Sequence, residues 1–291
     1  MTPPLFSLGR RIGVALVLIV AAIAVTVRYE RSKPVLLVMG AGAQTSENFQ
    51  LAQAISQVVT RHYPQVAITV VATQGSTQNA QLLQAGRLDL ATIQADVSTS
   101  PTTSLLAPLY TDAYQLLARA GSGIRSFGDL EGRIVALPPA GNAGLRSFWA
   151  VANHFGITSE DIRAVTMTPE AAAWALFSGA VDATFEAQPP GSEVVRATIS
   201  EGAGYIVPID QAAAIQLRFP SVEPGRIPKG SYRGEPPLPE TDLQTAVVWR
   251  LLAVRDDMPP KVAQAITEVL FERRRELAEL SPLAGFIRAP D

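Results

Sequence analysis

The stretch from Ile68 to Val97, ITVVATQGSTQNAQLLQAGRLDLATIQADV, constrains the fold more than any other. Ile68 to Ala72 is a β-branched apolar run that suits a strand buried on both faces. Thr73 to Asn79 is small and polar, with Gly75 to permit unusual backbone angles. Ala80 to Ala85 favours helix, and Gly86 fits the left-handed position that ends one. A second strand starts at Asp89 and carries polar Gln94 and Asp96 at its carboxyl end. Two polar clusters thus follow two strands of what should be one parallel sheet. In open α/β sheets ligands bind beyond the carboxyl ends of strands, so the stretch reads as half of a small-molecule cleft.

The rest of the chain extends this pattern. Pro34–Met39 reads as a first strand, followed by the loop Gly40–Asn48. Phe49, Ala52, Ile55, Val58 and Val59 then recur at helical spacing. Further strands are expected at Tyr114–Ala118, Arg133–Leu137, Ile162–Met167, Ala183–Glu186 and Tyr205–Ile209. Helices are expected at Leu145–Phe155, Pro169–Ser178 and from about Gly191 to Ser200. Arg218–Glu240, rich in Pro and Gly, reads as a surface loop. Thr245–Val254 is an apolar strand that returns to the first lobe, and Pro259-Pro260 starts a helix. Alternating strands and helices give parallel sheets. The expected fold is α/β, with two lobes, each with a mixed, mainly parallel sheet flanked by helices. Residues 34–118 and 240–291 form lobe one, and residues 119–239 form lobe two. Two crossings between them make a hinge.

The chain has 291 residues and a net charge of −2. Residues 1–33 hold five basic side chains against Glu30, which leaves the remainder at −6. An acidic body lacks the clustered Lys and Arg that phosphate contacts need, so no nucleic-acid partner is expected. There is no cysteine, which excludes disulfides, thiolate nucleophiles and Cys-ligated metals. Arg10-Arg11 precede Ile12–Val27, an uncharged and largely apolar run. At ~1.5 Å per residue it would span roughly 24 Å as a helix, against a ~30 Å hydrocarbon core. Ala22-Ile23-Ala24 offers a small-x-small cleavage pattern, yet the apolar run continues beyond it. An uncleaved anchor in the lipid bilayer is favoured over a cleaved signal. Either way the body is exported: inner membrane, single-pass, with the body in the periplasm, or periplasmic after cleavage.

Four polar clusters fall at strand ends: Gly40–Asn48, Thr73–Asn79, Gln94–Asp96 and Pro138–Gly144. Three of them lead into helices, whose free N–H groups favour anions. Candidate ligand-binding residues are therefore Thr73, Gln74, Gly75, Ser76, Asn79, Gln94 and Asp96, with Gly141, Asn142, Ala143 and Gly144 across the cleft. Glu186 ends a strand and either faces the cleft or sits on a solvated turn. Capping accounts equally well for Thr77 and Asn79, and Gln94 and Asp96 fit a capped strand end. Arg146, in the first turn of its helix, could pair with an acid group. His62 and His154 stand on predicted helices without partners at a catalytic spacing. No nucleophile elbow, P-loop, dinucleotide fingerprint or metal-ligand spacing occurs. No enzyme activity, catalytic residue, metal or cofactor is expected.

Thr73-x-Gly75-Ser76-x-x-Asn79, Leu82-Leu83, Gly86, Asp89-Leu90-Ala91 and Gln94-Ala95-Asp96-Val97 together resemble the TAXI-type solute-binding proteins of tripartite (TRAP) transporters. Gly123–Gly132 and the Pro138–Gly144 loop extend the similarity to roughly residues 35–275. The resemblance implies a type II periplasmic-binding-protein-like fold that closes on a small solute, often a carboxylate or amino acid, and passes it to a membrane permease. It adds Ala43, Asn48 and Phe49 of the first loop as ligand contacts. Asn48-Phe49 replace the family's aromatic pair, and Gly141-Asn142-Ala143-Gly144 replaces its G-S-G-T loop. A membrane-tethered ligand sensor, or a degenerate binding domain that contacts a membrane protein, is the alternative.

Overall fold

The computed structural model describes residues 13, 15, 16, 18–20, 34–199 and 202–289. Most of Ile12–Val27 lies outside them. Among the described residues no helix is long and apolar enough to cross a membrane.

The first lobe is built as β1 (Val35–Gly40), α1 (Glu47–His62), β2 (Val66–Val71), α2 (Ser76–Gln84) and β3 (Leu90–Gln94). β1 pairs in parallel with both β2 and β3. Helix α1 buries the residues its periodicity marks, including Phe49, Ala52, Ile55, Val58 and Val59. Ser46 caps it, its Oγ accepting from the Phe49 N–H at 3.2 Å, which satisfies one of the free donors of the first turn. Gly86, at φ +65°, follows the end of α2 in the left-handed conformation that side chains resist.

Two long strands then tie everything together. β4 (Thr103–Arg119) and β12 (Leu243–Arg255) run antiparallel beside each other. The first halves of β4 and the last half of β12 pack in lobe one, where Leu109, Tyr110, Leu252 and Val254 join β1, α1 and β2. Their other halves pack in lobe two, where Tyr114, Leu116, Ala246 and Val248 join Phe127, Phe148 and Phe185. The packing passes from one core to the other between Tyr110 and Tyr114 on β4 and between Val248 and Leu252 on β12. Expected as two sheets, the strands form one hydrogen-bonded path, β2-β1-β3-β12-β4, then β7 (Ala183–Gln188), β5 (Ile134–Leu137) and β6 (Arg163–Thr166).

Lobe two continues as β5 (Ile134–Leu137), α3 (Gly144–His154), β6 (Arg163–Thr166), α4 (Pro169–Phe177), β7 (Ala183–Gln188), α5 (Glu193–Ile199), β8 (Gly204–Val207) and α6 (Ala212–Gln216). The expected surface loop 218–240 holds more structure than its composition suggests. β9 (Val222–Ile227) pairs with β12, and β10 (Arg233–Gly234) with β11 (Pro237–Leu238). Helices α7 (Pro260–Glu272) and α8 (Arg274–Leu280) and a 3-10 turn at Pro282–Phe286 follow, with Val262, Ile266, Val269, Leu270, Leu277 and Ala284 packed on the lobe-one core.

Candidate functional site

A cavity of about 250 Å³ lies between the lobes at the carboxyl ends of the parallel strands. Lobe one contributes the loop into α1 (Gly42, Ala43, Thr45, Ser46, Asn48), the loop into α2 (Thr73, Gln74, Gly75, Ser76) and Gln94. Lobe two contributes Pro139, Asn142, Thr168, Pro169, Glu170, Ala187, Gln188 and Val194, and Arg250 comes from β12. A larger groove of about 670 Å³ runs outside, lined by residues such as Thr77, Gln81, Gln84, Arg146 and Trp149. We take the smaller cavity as the site, because buried polar groups converge there and both lobes enclose it.

The lobes touch on both sides of the cavity. Gln78 N–H donates to the Gly141 carbonyl at 3.1 Å. Gln74 presses on Gly141 so closely that a Cβ there would lie 2.6 Å from the Gln74 Cβ. Opposite, the Glu193 N–H donates to Glu47 Oε1 at 2.7 Å and the Thr45 hydroxyl to Glu170 at 3.2 Å. Asp96 Oδ2 accepts from the Ser147 hydroxyl at 2.8 Å and from Tyr114 at 3.0 Å. These contacts bridge the cavity on both sides.

The floor is an ion pair on the two crossing strands. Arg250 donates from Nη2 to Asp112 Oδ2 and from Nη1 to Ser76 Oγ, the latter at 2.8 Å. The Gln94 amide donates to the same Asp112 oxygen at 2.7 Å. Burial pushes the Asp112 carboxyl up, and Arg250 pulls against it. Burial likewise works against the guanidinium charge, but Asp112 outweighs it and raises Arg250.

Each residue expected at the site now has a place. Ala43, Asn48, Thr73, Gln74, Gly75, Ser76, Gln94 and Asn142 line the cavity. Asn48, however, spends its side chain on the protein. Its Nδ2 donates to the Ala41 carbonyl and to Thr92 Oγ1, both at 2.7 Å, and its Oδ1 accepts from Tyr110 at 3.3 Å. Phe49 is not on the wall but in the lobe-one core, as the helical periodicity of α1 requires. Asn79 is no cap: it is 1% exposed and ties α2 to the sheet through the Gly40 and Thr92 carbonyls. Asp96, Gly141, Ala143 and Gly144 lie off the cavity wall. Asp96 and Gly141 serve the lobe contact, and Ala143 is the residue before α3. Glu186 is buried behind the wall. Burial pushes its carboxyl up to about 8, against a hydrogen bond from Gln188 and with some help from the Glu170 charge. It is neither on the cleft surface nor on a solvated turn. Arg146 is exposed and lines the outer groove.

Arg250, Asp112 and Glu170 escape a reading by strand ends. One signal was present: Arg250 is a lone charge inside the apolar run TAVVWRLLAV, and a charge in a buried strand needs a partner. Among the described residues no group of three His, Asp or Glu side chains could hold a metal ion.

Comparison with known proteins places this geometry. The model of the NMT1-like family matches residues 39–289. The chain belongs to the NMT1-like family. This is a family of periplasmic solute-binding proteins, which agrees with the coarser part of the resemblance read from the sequence; the TAXI subtype does not follow from the match. Solved structures share the fold of this NMT1-like protein at low identity. A Xanthomonas citri protein bound to ATP matches with a TM-score of 0.58 at 15% identity, covering 88% of this chain and 91% of that one. The alkanesulfonate-binding protein of Xanthomonas axonopodis pv. citri bound to MOPS gives 0.54 at 15%, covering 89% and 88%. An ancestral arginine-binding protein bound to arginine gives 0.52 at 16%, covering 84% and 96%. These likenesses establish a periplasmic-binding-protein-like α/β fold.

Proposed function

We propose that the chain is the extracytoplasmic receptor of a membrane transporter, which closes its two lobes on a small carboxylate-bearing solute and hands it on. The observation that carries this is the cavity between the lobes, walled by residues of both, onto which the buried polar side chains of Ser76, Gln94 and Arg250 converge. Its volume of about 250 Å³ falls below the roughly 300–1,000 Å³ of pockets for drug-sized ligands, so the solute is small. The start of α2 has no side-chain cap at Gly75, and although its Gln78 N–H is taken by the Gly141 carbonyl, the positive end of the helix favours an anionic group. The body works in the periplasm. Thr73, Gln74, Gly75, Ser76, Gln94 and Asn142 contact the solute.

The motif between Thr73 and Val97 supports a permease of the TRAP class. An ATP-driven permease is the second reading, favoured by a match to the substrate-binding protein of an amino acid ABC transporter (TM-score 0.51, 16% identity). Thermal melts of the full-length chain against a small-solute library test the receptor reading. A ligand at 100 times its dissociation constant adds about 2.7 kcal/mol, and Trp149, at the edge of the outer groove, should change its fluorescence. Co-purification then separates the permease classes by whether an ATPase subunit accompanies the complex.

A further inference from the structure

Ser76 accepts two hydrogen bonds, from Arg250 Nη1 at 2.8 Å and from the Gln94 N–H at 3.1 Å. A hydroxyl has two acceptor positions and one proton. Both acceptor positions are filled, so the proton points elsewhere, and Ser76 lines the cavity. Arg250 behaves similarly. It meets Asp112 end-on through Nη2, and its Nε is buried with no partner among the described residues. A guanidinium offers five N–H groups; this one gives Nη1 to Ser76, Nη2 to Asp112 and a further contact to the Tyr110 hydroxyl, while the side chain lines the cavity and sets its positive charge there. Ser76 and Gln94 are each 2% exposed and Arg250 8%. These groups are held by burial at the N-terminus of a nine-residue helix that has no side-chain cap.

The charge of the wall limits what the donor set takes. The lining carries one cationic side chain, Arg250, and one anionic side chain, Glu170. Arg250 is already balanced by Asp112. A ligand with two carboxylates would set the second against the Glu170 end of the wall, where no cation answers it.

We infer that Ser76 and Arg250 form the subsite for a single oxyanion head, with Asp112 as the positioning residue, and that the receptor selects monoanionic over dianionic solutes. Asp112 holds the guanidinium so that Nη1 fixes Ser76, whose own proton is left for the ligand beside the cationic side chain on the wall. The pair also stands where β4 and β12 cross between the lobes, so filling the subsite bears directly on the hinge strands. The inference rests on the receptor reading.

The test uses the full-length chain and matched solutes of two to six carbons: the dicarboxylate, its half-amide and its diamide. Their shapes agree and their charges are −2, −1 and 0. Calorimetry should show a half-amide binding roughly tenfold or more tighter than its diamide and its diacid, as charged hydrogen bonds predict. Ser76→Ala should narrow the preference over the diamide, and Arg250→Lys, which keeps the charge without the fork, should weaken binding while retaining the preference. Ser76→Ala removes only a hydroxyl and keeps the test readable if an Arg250 variant does not fold. Tighter binding of diacids or diamides than half-amides overturns the inference and leaves the receptor reading standing, as does binding confined to cationic or uncharged solutes in a wider library. No binding in that wider library overturns both.

Discussion

At the scale of single residues, the two buried acids near the cavity do opposite things. Asp112 is fully buried and holds Arg250. Asp112→Asn leaves a buried guanidinium without its counter-charge, a loss on the order of 3–5 kcal/mol, visible as a lower urea midpoint. Replacing both partners by apolar residues of similar volume should recover part of that loss. Glu186 instead gains a proton on folding, since burial raises its carboxyl from an ordinary 4.5 to about 8. Between those values the folded state holds a proton that the unfolded state has released. Stability therefore falls as pH rises through this window, by on the order of 1 kcal/mol per pH unit, and levels off above it. Glu186→Gln should remove this slope, so its melting temperature gains on the parent at pH 8.5 and not at pH 4.5. Parallel slopes for the two proteins would contradict the assignment. The lone charge of Arg250 in its apolar run called for a buried partner, yet neither the identity of that partner as Asp112 nor the burial of Glu186 was legible in the sequence. Asp112 and Arg250 are 138 positions apart, and spacing carries no sign that strands so distant lie side by side.

At the scale of elements, legibility followed locality. Helix α1, the β2–α2–β3 unit and Gly86 are specified by patterns within a few residues of each other. The loops at their strand ends therefore stood out, and they line the cavity. Strand β4 was seen only as Tyr114–Ala118, because Pro108 interrupts the pattern and proline normally marks an edge or a bulge. The structure absorbs it at such an irregularity, where Pro108 faces Leu251 beside a register shift. β9 was hidden in the same way by Pro224 and Gly225, and Gly225 is required there because a Cβ would lie 2.3 Å from Val247 Cγ1. A second glycine stands at a lobe contact. A Cβ on Gly141 would meet Gln74 Oε1 at 2.2 Å, so Gly141→Ala should prop the lobes apart. Its folded core is untouched, so solute affinity should fall by tenfold or so (about 1.4 kcal/mol) with little change in melting temperature of the free protein. An equal loss of stability without loss of affinity would show that the contact is not part of closure.

At the scale of the whole molecule, the decisive feature is that the two lobes share one sheet. β4 and β12 pass through both cores, and Asp112 and Arg250 meet where they cross. In the proposed receptor these two strands bend to open the cavity, and the contacts of Gly141, Glu47 and Asp96 hold it shut. The chain has no cysteine, so a spin-label pair can be placed without background. Gln84 on α2 and Arg146 on α3 are both exposed and line the outer groove from opposite lobes. Pulsed electron resonance on Gln84→Cys with Arg146→Cys measures the lobe separation directly. On adding a solute that raises the melting temperature, the distance distribution should shorten and narrow to one closed population. The same distribution with and without that solute would contradict a receptor that works by closing its lobes.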